Sequence, residues 1–293
     1  MKKMWQYHLI KLISSIVCLL PYRSILWLGR GIGRIYYRLF KKQVNRAIEQ
    51  IKERLGYTQL QAEDLAYRMC TNLGMTLMEV LYIPNLNEEN IRDFVKIENP
   101  EYIEQALAMD RGVVALAAHT DNWEWQGAAL SLYGYPLTSM VKPQPNPVHT
   151  KLLTEYREMS GIETFLSGTN DIIAAARAMK KGKLVGFIAD QDGDTGGIFV
   201  EFFGKMASTP VGPGFFAKKF KAPILPLFIV RNQDGVGHRI ISMPPFFYED
   251  TGDEQEDMRR ITEKMVKVTE KVIDEHKDNW IWFMRRWNTP YKK

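Results

Sequence analysis

His119 and Glu124 close the stretch Val113-Val114-Ala115-Leu116-Ala117-Ala118-His119-Thr120-Asp121-Asn122-Trp123-Glu124. Histidine is the side chain best poised to take a proton near neutral pH. A carboxylate on its other ring nitrogen fixes the tautomer and stabilises the imidazolium as it forms. A strand-to-helix turn can bring residues five apart within reach of each other, so Glu124 is expected to orient His119. No Gly-x-Ser-x-Gly elbow is present, and Cys18 and Cys70 lie in helix-like segments far from the motif. A base without a protein nucleophile implies a substrate that brings its own, such as a hydroxyl. The bland reading is a histidine that caps a strand.

Further chemistry is spaced along the chain. Lys142-Pro143-Gln144-Pro145-Asn146-Pro147 is stiffened by three prolines, the last able to open a helix. Lys142, at the same sheet edge as His119, could neutralise a phosphate or a developing oxyanion. Asp190, Asp192 and Asp194, followed by Glu201, approach the ligand spacing of a calcium loop. Thr195 occupies the position that needs glycine, and the flanks read as strands, so the acidic turn is expected to shape a site rather than hold a metal. Ser208 or Thr209 can cap a helix with Pro210 in its first turn, and free N–H groups there favour an anion.

These residues need a scaffold that gathers them. The run 113–118 is small, apolar and β-branched, which suits a strand buried on both faces. Strands are expected at 113–118, 136–142, 162–166, 184–189, 223–230 and 239–243. Helices are expected at 123–133, 147–159, 171–180 and 212–220, with a long charged one from Asp253 to Lys277. This alternation predicts an α/β fold, a mostly parallel mixed sheet flanked by helices, with ligands at the carboxyl ends of its strands. Residues 43–93 read as helices and 86–112 as a polar linker with a helix around Glu101–Met109. Domain boundaries are expected at 1–42 for interfacial helices and 43–293 for the catalytic unit, with its helical lead-in at 43–112 and α/β core at 113–293.

Net charge of +5 and a pI near 9.0 favour anionic partners: a lipid surface, phosphorylated substrates or an acidic carrier protein. No zinc-finger, KH or RNP motif supports nucleic acid as a partner. Two cysteines argue against a disulfide framework. Lys2 and Lys3 precede an apolar stretch from Trp5 to Tyr22, whose uninterrupted part, Leu12 to Leu20, is too short to span a bilayer comfortably. Arg30, Arg34 and Arg38 recur every four residues beside Leu26, Ile32, Tyr36, Tyr37 and Phe40, as an interfacial helix on anionic lipid requires. Gly29, Gly31 and Gly33 are expected to permit close helix packing, since no strand precedes them to make a dinucleotide loop.

Taken together, the blocks resemble the lipid A biosynthesis acyltransferases, the late lauroyl and myristoyl transferases within the lysophospholipid and glycerol-3-phosphate acyltransferase superfamily. His119-Thr120-Asp121-Asn122-Trp123-Glu124 is similar to that family's His-x4-acidic motif. Lys142-Pro143…Asn146-Pro147 resembles its second block. Asp190-Gln191-Asp192 and Phe202-Phe203-Gly204…Ala207…Thr209-Pro210…Gly212 resemble the third and fourth. Trp280…Trp282…Arg285-Arg286-Trp287 resembles the closing signature. The resemblance implies direct acyl transfer, without a cofactor or metal, by His119 and Glu124. It implies substrate-binding roles for Asn122, Trp123, Lys142, Asn146, Asp190, Gln191, Asp192, Phe203, Gly204, Thr209, Pro210 and Gly212. The donor would be acyl carrier protein or acyl-CoA, and the acceptor a lipid A precursor or related lipid. The setting would be the cytoplasmic side of the inner membrane. Asp121 departs from the family pattern, which often has glycine there, so an added carboxylate beside His119 is expected to alter its basicity or the acceptor pocket. Two other functions fit the same chain: a sister acyltransferase using another glycolipid or a lysophospholipid, and a catalytically silent membrane-binding homologue. An intact His119–Glu124 motif argues against the last.

Overall fold

Side chains at 113–117 are apolar on both faces of the strand, and the protein buries all five. The structure, a computed structural model, describes residues 4–141, 143–166 and 171–291. Four helices come first: α1 (Met4–Cys18), α2 (Tyr22–Leu39), α3 (Lys41–Leu55) and α4 (Gln59–Tyr82). A single turn, α5 (Ile91–Phe94), leads into β1 (Val95–Glu98) and α6 (Glu101–Leu107). Then follow β2 (Val113–Ala117), α7 (Trp123–Leu132), β3 (Leu137–Val141), α8 (Pro147–Met159), β4 (Glu163–Leu166), α9 (Asp171–Lys180) and β5 (Leu184–Ile188). After β6 (Ile198–Phe202) and β7 (Lys205–Thr209) come α10 (Gly212–Phe220), β8 (Ile224–Arg231), β9 (His238–Ser242) and α11 (Glu254–Glu275).

Seven strands form one sheet in the order β1-β9-β8-β2-β5-β3-β4. All neighbours run parallel except β8 and β9, joined as an antiparallel hairpin. The α/β class and the mostly parallel, mixed sheet therefore match the sequence reading. Alternate residues of β2 feed two cores, as a strand's period of two requires. Val113 and Ala115 join Trp125, Tyr156 and Ile103 under α6, α7 and α8. Val114 and Leu116 join Ala175, Phe216 and Met265 under α9, α10 and α11.

Three expectations are corrected. The segment 86–112 is not a linker throughout, because β1 pairs with β9 and puts Val95 in the core. Residues 198–209 form an antiparallel hairpin turning at Phe203 and Gly204, both at positive φ, so Ser208 and Thr209 end a strand rather than cap a helix. The following helix starts at Gly212 without a side-chain cap. Leu26, expected at the interface, is fully buried, and Tyr36 and Tyr37 are half-buried, with ring centroids 6.0 Å from Phe283 and 5.4 Å from Tyr67 respectively.

The glycines of α2 do allow close packing. A Cβ on Gly29 would meet the Met75 backbone of α4 at 2.6 Å, and Gly33 and Gly74 are as tightly placed, whereas Gly31 faces open space. Among the described residues, no helix is long and apolar enough to cross a membrane.

Candidate active site

The register of two neighbouring parallel strands builds the site. Ala117 of β2 pairs with Ile188 of β5, so His119 and Asp190 leave the carboxyl edge two residues later, side by side. His119 Nδ1 lies 2.7 Å from Asp190 Oδ1, and the His119 backbone N–H donates to Asp190 Oδ2 at 2.9 Å. Trp280 donates its indole N–H to the same Oδ2 at 2.7 Å. Burial alone would raise the Asp190 carboxyl. The charge and hydrogen bond of His119 and the bond from Trp280 outweigh it and hold the group below the usual carboxylate range. With Nδ1–H committed to Asp190, Nε2 is the free basic nitrogen. It is approached at 3.2 Å by the amide nitrogen of exposed Gln191, and the imidazole and Trp123 rings meet edge-to-face with centroids 4.9 Å apart. The His119 side chain keeps 17% of its surface accessible while that of Asp190 keeps none, so an incoming group can reach the base but not its partner.

Glu124 is not the partner of His119. It accepts two hydrogen bonds from Arg157 of α8, Nε at 2.8 Å and Nη2 at 2.5 Å. The reason is helical geometry: Trp123 takes the face toward His119, and the next residue is turned about 100° around the axis. The Glu124–Arg157 pair and Trp123 stand beside an apolar cleft between α7 and the sheet, lined by Ala117, Leu130, Leu137, Val141, Ile162 and Phe187.

The other sequence candidates divide. Asn122 caps α7, accepting from the Trp125 N–H at 3.1 Å while its amide donates to Glu79. Asp192 accepts from the Thr289 N–H and hydroxyl at 3.1 and 2.8 Å. Arg286, fully buried, donates to the Thr209 hydroxyl at 2.6 Å and to the Ser208 carbonyl. Burial pushes its guanidinium down to about 10 against the opposing pull of Asp190 and Asp192, so it stays charged at neutral pH. Pro210 adjoins the acidic turn, where a Cβ on Gly193 would meet the Pro210 nitrogen at 2.9 Å. Asn146 caps α8 and donates to Gln6 of α1 at 3.3 Å. Phe203 packs on Trp282 with Gly204 in the hairpin turn, and Gly212 opens α10 beside Phe187. Lys142 lies outside the described residues. The Asp121 carboxylate bonds Arg231 and His238 rather than His119. Sequence reasoning missed Arg157, which had no local motif, and the link from Trp280 to Asp190, whose only signal was the tryptophan-rich C-terminus.

The family model for bacterial lipid A biosynthesis acyltransferases matches residues 1–289. The chain belongs to that family. It is 26% identical to the lipid A biosynthesis lauroyltransferase of Escherichia coli (strain K12), over 94% of this chain and 88% of that one. It is also 26% identical to the palmitoleoyltransferase of the same strain, over 92% and 87%. A phosphatidylinositol mannoside acyltransferase of Mycobacterium tuberculosis (strain ATCC 25618 / H37Rv) is 25% identical over 75% of this chain and 70% of its own length. The protein is thus an O-acyltransferase, and the site just described belongs to a lipid A-family acyltransferase.

Proposed function

We propose that this acyltransferase moves a fatty acyl chain from a thioester to a hydroxyl of a lipid A precursor, with His119 as general base and Asp190 as its orienting partner. The observation that carries the reading is the His119–Asp190 contact at 2.7 Å, with Nε2 facing outward. The acceptor hydroxyl takes the place of the Gln191 amide and gives its proton to Nε2 as its oxygen attacks the thioester carbonyl. Collapse of the tetrahedral intermediate breaks the C–S bond, and the imidazolium returns the proton to the leaving sulfur. An ester and a free thiol result, without an acyl-enzyme. Asp190 stabilises the transient imidazolium without itself being protonated.

The apolar cleft beside Trp123 takes the acyl chain, and Glu124 acts by fixing the Arg157 guanidinium next to it. Asn122, Asn146, Asp192, Phe203, Gly204, Thr209, Pro210 and Gly212 hold the turns around the substrates, and Lys142 is the candidate for oxyanion stabilisation. Acyl carrier protein, being acidic, suits the basic chain as donor.

The membrane is the source of the acceptor. Trp5, Leu12, Ile16 and Leu19 of the N-terminal segment and Trp27, Ile35 and Leu39 of α2 are more than half exposed. Apolar surface on this scale marks a lipid-facing region. Residues 1–42 serve as interfacial helices docked on the acyltransferase unit at 43–293, with the site on the cytoplasmic side of the inner membrane.

Purified enzyme is offered radiolabelled lauroyl thioesters of acyl carrier protein and of coenzyme A, with a lipid A precursor, a phosphatidylinositol mannoside or a lysophospholipid as acceptor. Mass spectrometry should find one acyl chain added to the lipid A precursor. Transfer confined to the mannoside or the lysophospholipid would move the acceptor to that class, in keeping with the mannoside acyltransferase among the relatives.

A further inference from the structure

Behind the His119 turn lies a buried cluster of four ionisable groups that the proposed chemistry does not use. Glu79 of α4, Asp121 of the turn, Arg231 of β8 and His238 of β9 are each less than a tenth exposed. Arg231 donates to both oxygens of Glu79 at 2.7 and 2.8 Å and to Asp121 Oδ1 at 2.9 Å. His238 Nδ1 lies 2.6 Å from Asp121 Oδ2, and its Nε2 lies 3.1 Å from Glu79 Oε1. Tyr22 of α2 also faces the cluster, donating to Glu79 at 2.7 Å, and the Trp125 ring of α7 stands against the imidazole.

Both ring nitrogens of His238 therefore face carboxylate oxygens. An ionised carboxylate only accepts hydrogen bonds, so a neutral ring would set one lone pair against another. An imidazolium satisfies both contacts and balances the cluster: two carboxylates against one guanidinium and one imidazolium. Unbalanced charge in such a place is costly. Burial by itself lowers the basicity of His238, but Glu79 and Asp121 outweigh it and raise it above the ordinary value of 6.5.

This cluster bears directly on the catalytic turn. Asp121 sits at φ +40°, a conformation costing a non-glycine residue on the order of 1–3 kcal/mol unless its surroundings enforce it. Its carboxylate bonds are the enforcement, together with its N–H donating to the Asn279 carbonyl at 2.6 Å. Asn279 in turn accepts from the Arg231 N–H at 2.8 Å, and its neighbour Trp280 is the residue that holds Asp190.

We propose that His238 is a positioning residue for acyl transfer: held as an imidazolium between Asp121 and Glu79, it fixes the strained Asp121 turn and hence His119 against Asp190. This inference rests on His119 being the base. One consequence is a charge rule. Removing His238 alone leaves a surplus negative charge behind the turn, whereas removing it together with the Asp121 charge leaves the balanced Glu79–Arg231 pair.

The test compares His238→Asn, Asp121→Asn and the double variant, each checked for folding by near-ultraviolet circular dichroism. His238→Asn should lower kcat by about 10- to 100-fold, the scale of a displaced catalytic group, with KM for lauroyl thioester nearly unchanged. The double variant should recover most of that loss, because asparagine at 121 tolerates positive φ and its amide oxygen can still accept from Arg231. Diethyl pyrocarbonate modification of His119, located by mass spectrometry, should change in rate in the single variant and return in the double. That readout needs no acyl substrate, so it separates failure of this inference from failure of the acyl-transfer reading. Nitrogen NMR of the unmodified protein should show His238 mostly protonated on both ring nitrogens at pH 6.5, the ordinary histidine value. A neutral ring there, a folded His238→Asn with normal kcat and normal His119 reactivity, or a double variant no better than the single would each overturn the proposal. Should His238→Asn fail to fold, a folded, active double variant supports the charge rule and an unfolded one contradicts it.

Discussion

Asp190 reaches His119 from a strand that is 71 residues away in sequence, whereas Glu124 sits five residues away and faces Arg157. Proximity in sequence favoured Glu124, but the helix turn decided otherwise. The histidine was legible because it ends an apolar strand and no nucleophile accompanies it. Its partner was not, because the β2–β5 pairing is a tertiary fact that neither strand announces. His119→Ala in a folded enzyme should lower kcat by about 10²- to 10⁴-fold, the range of general base assistance. Glu124→Ala and Arg157→Ala should each slow transfer, and the double variant should be little worse than either, because each single change already destroys the pair. Additive losses in that cycle would separate the two side chains. Asp190 also makes a stability prediction. Its carboxyl is held below the ordinary value of 3.8, so the unfolded chain binds its proton more readily. The stabilisation is present above that unfolded value and is lost as pH falls through the depressed one. Thermal unfolding of the wild type should therefore weaken more steeply in this acid range than that of Asp190→Asn.

At the scale of elements, the central strands and helices were legible because their periods are strong and glycines, prolines and polar turns separate them. Strand β1 was missed because four residues, Val95 to Glu98, alternate too briefly to stand out from polar surroundings. The β6–β7 hairpin was missed because Phe203 adopts a positive φ beside Gly204 without an Asn-Gly or Asp-Gly signal. The helix glycines can be tested one against another. Gly33→Ala drives a methyl group into the α4 backbone and should cost about 1–3 kcal/mol by chemical denaturation. Gly31→Ala meets nothing and should be neutral or stabilising, since alanine is the better helix former. Equal effects at the two positions would show that α2 does not pack on α4 as described.

Across the whole molecule, the sheet gathers His119 and Asp190 at one edge while the first two helices carry apolar and basic surface. Leu28, Ile32, Ile35 and Leu39 follow one exposed line of α2 and Arg34 and Arg38 another, whereas Arg30 is half-buried and turns its guanidinium toward Gly235. Composition made this amphipathic character visible, but only packing shows that Tyr36 and Tyr37 lie half-buried against the core and Trp27 on the surface. Replacing Trp27, Ile35 and Leu39 together with serine should weaken binding to anionic phospholipid vesicles while leaving thermal stability nearly unchanged. Replacing the exposed Arg34 and Arg38 with Gln should make the remaining binding less sensitive to salt, each charge near such a surface contributing about 1 kcal/mol. Vesicle binding unchanged in both variants would remove the N-terminal helices as the lipid-facing surface.

The most direct test of the central claim is kcat of a folded Asp190→Asn enzyme with a lauroyl thioester of acyl carrier protein and a lipid A precursor. Asparagine preserves the shape but removes the charge that stabilises the His119 imidazolium, and can present its amide N–H to Nδ1. A fall of about 10²- to 10⁴-fold is expected, the range for loss of general base assistance. Turnover within about 3-fold of wild type, far short of that range, would contradict the account.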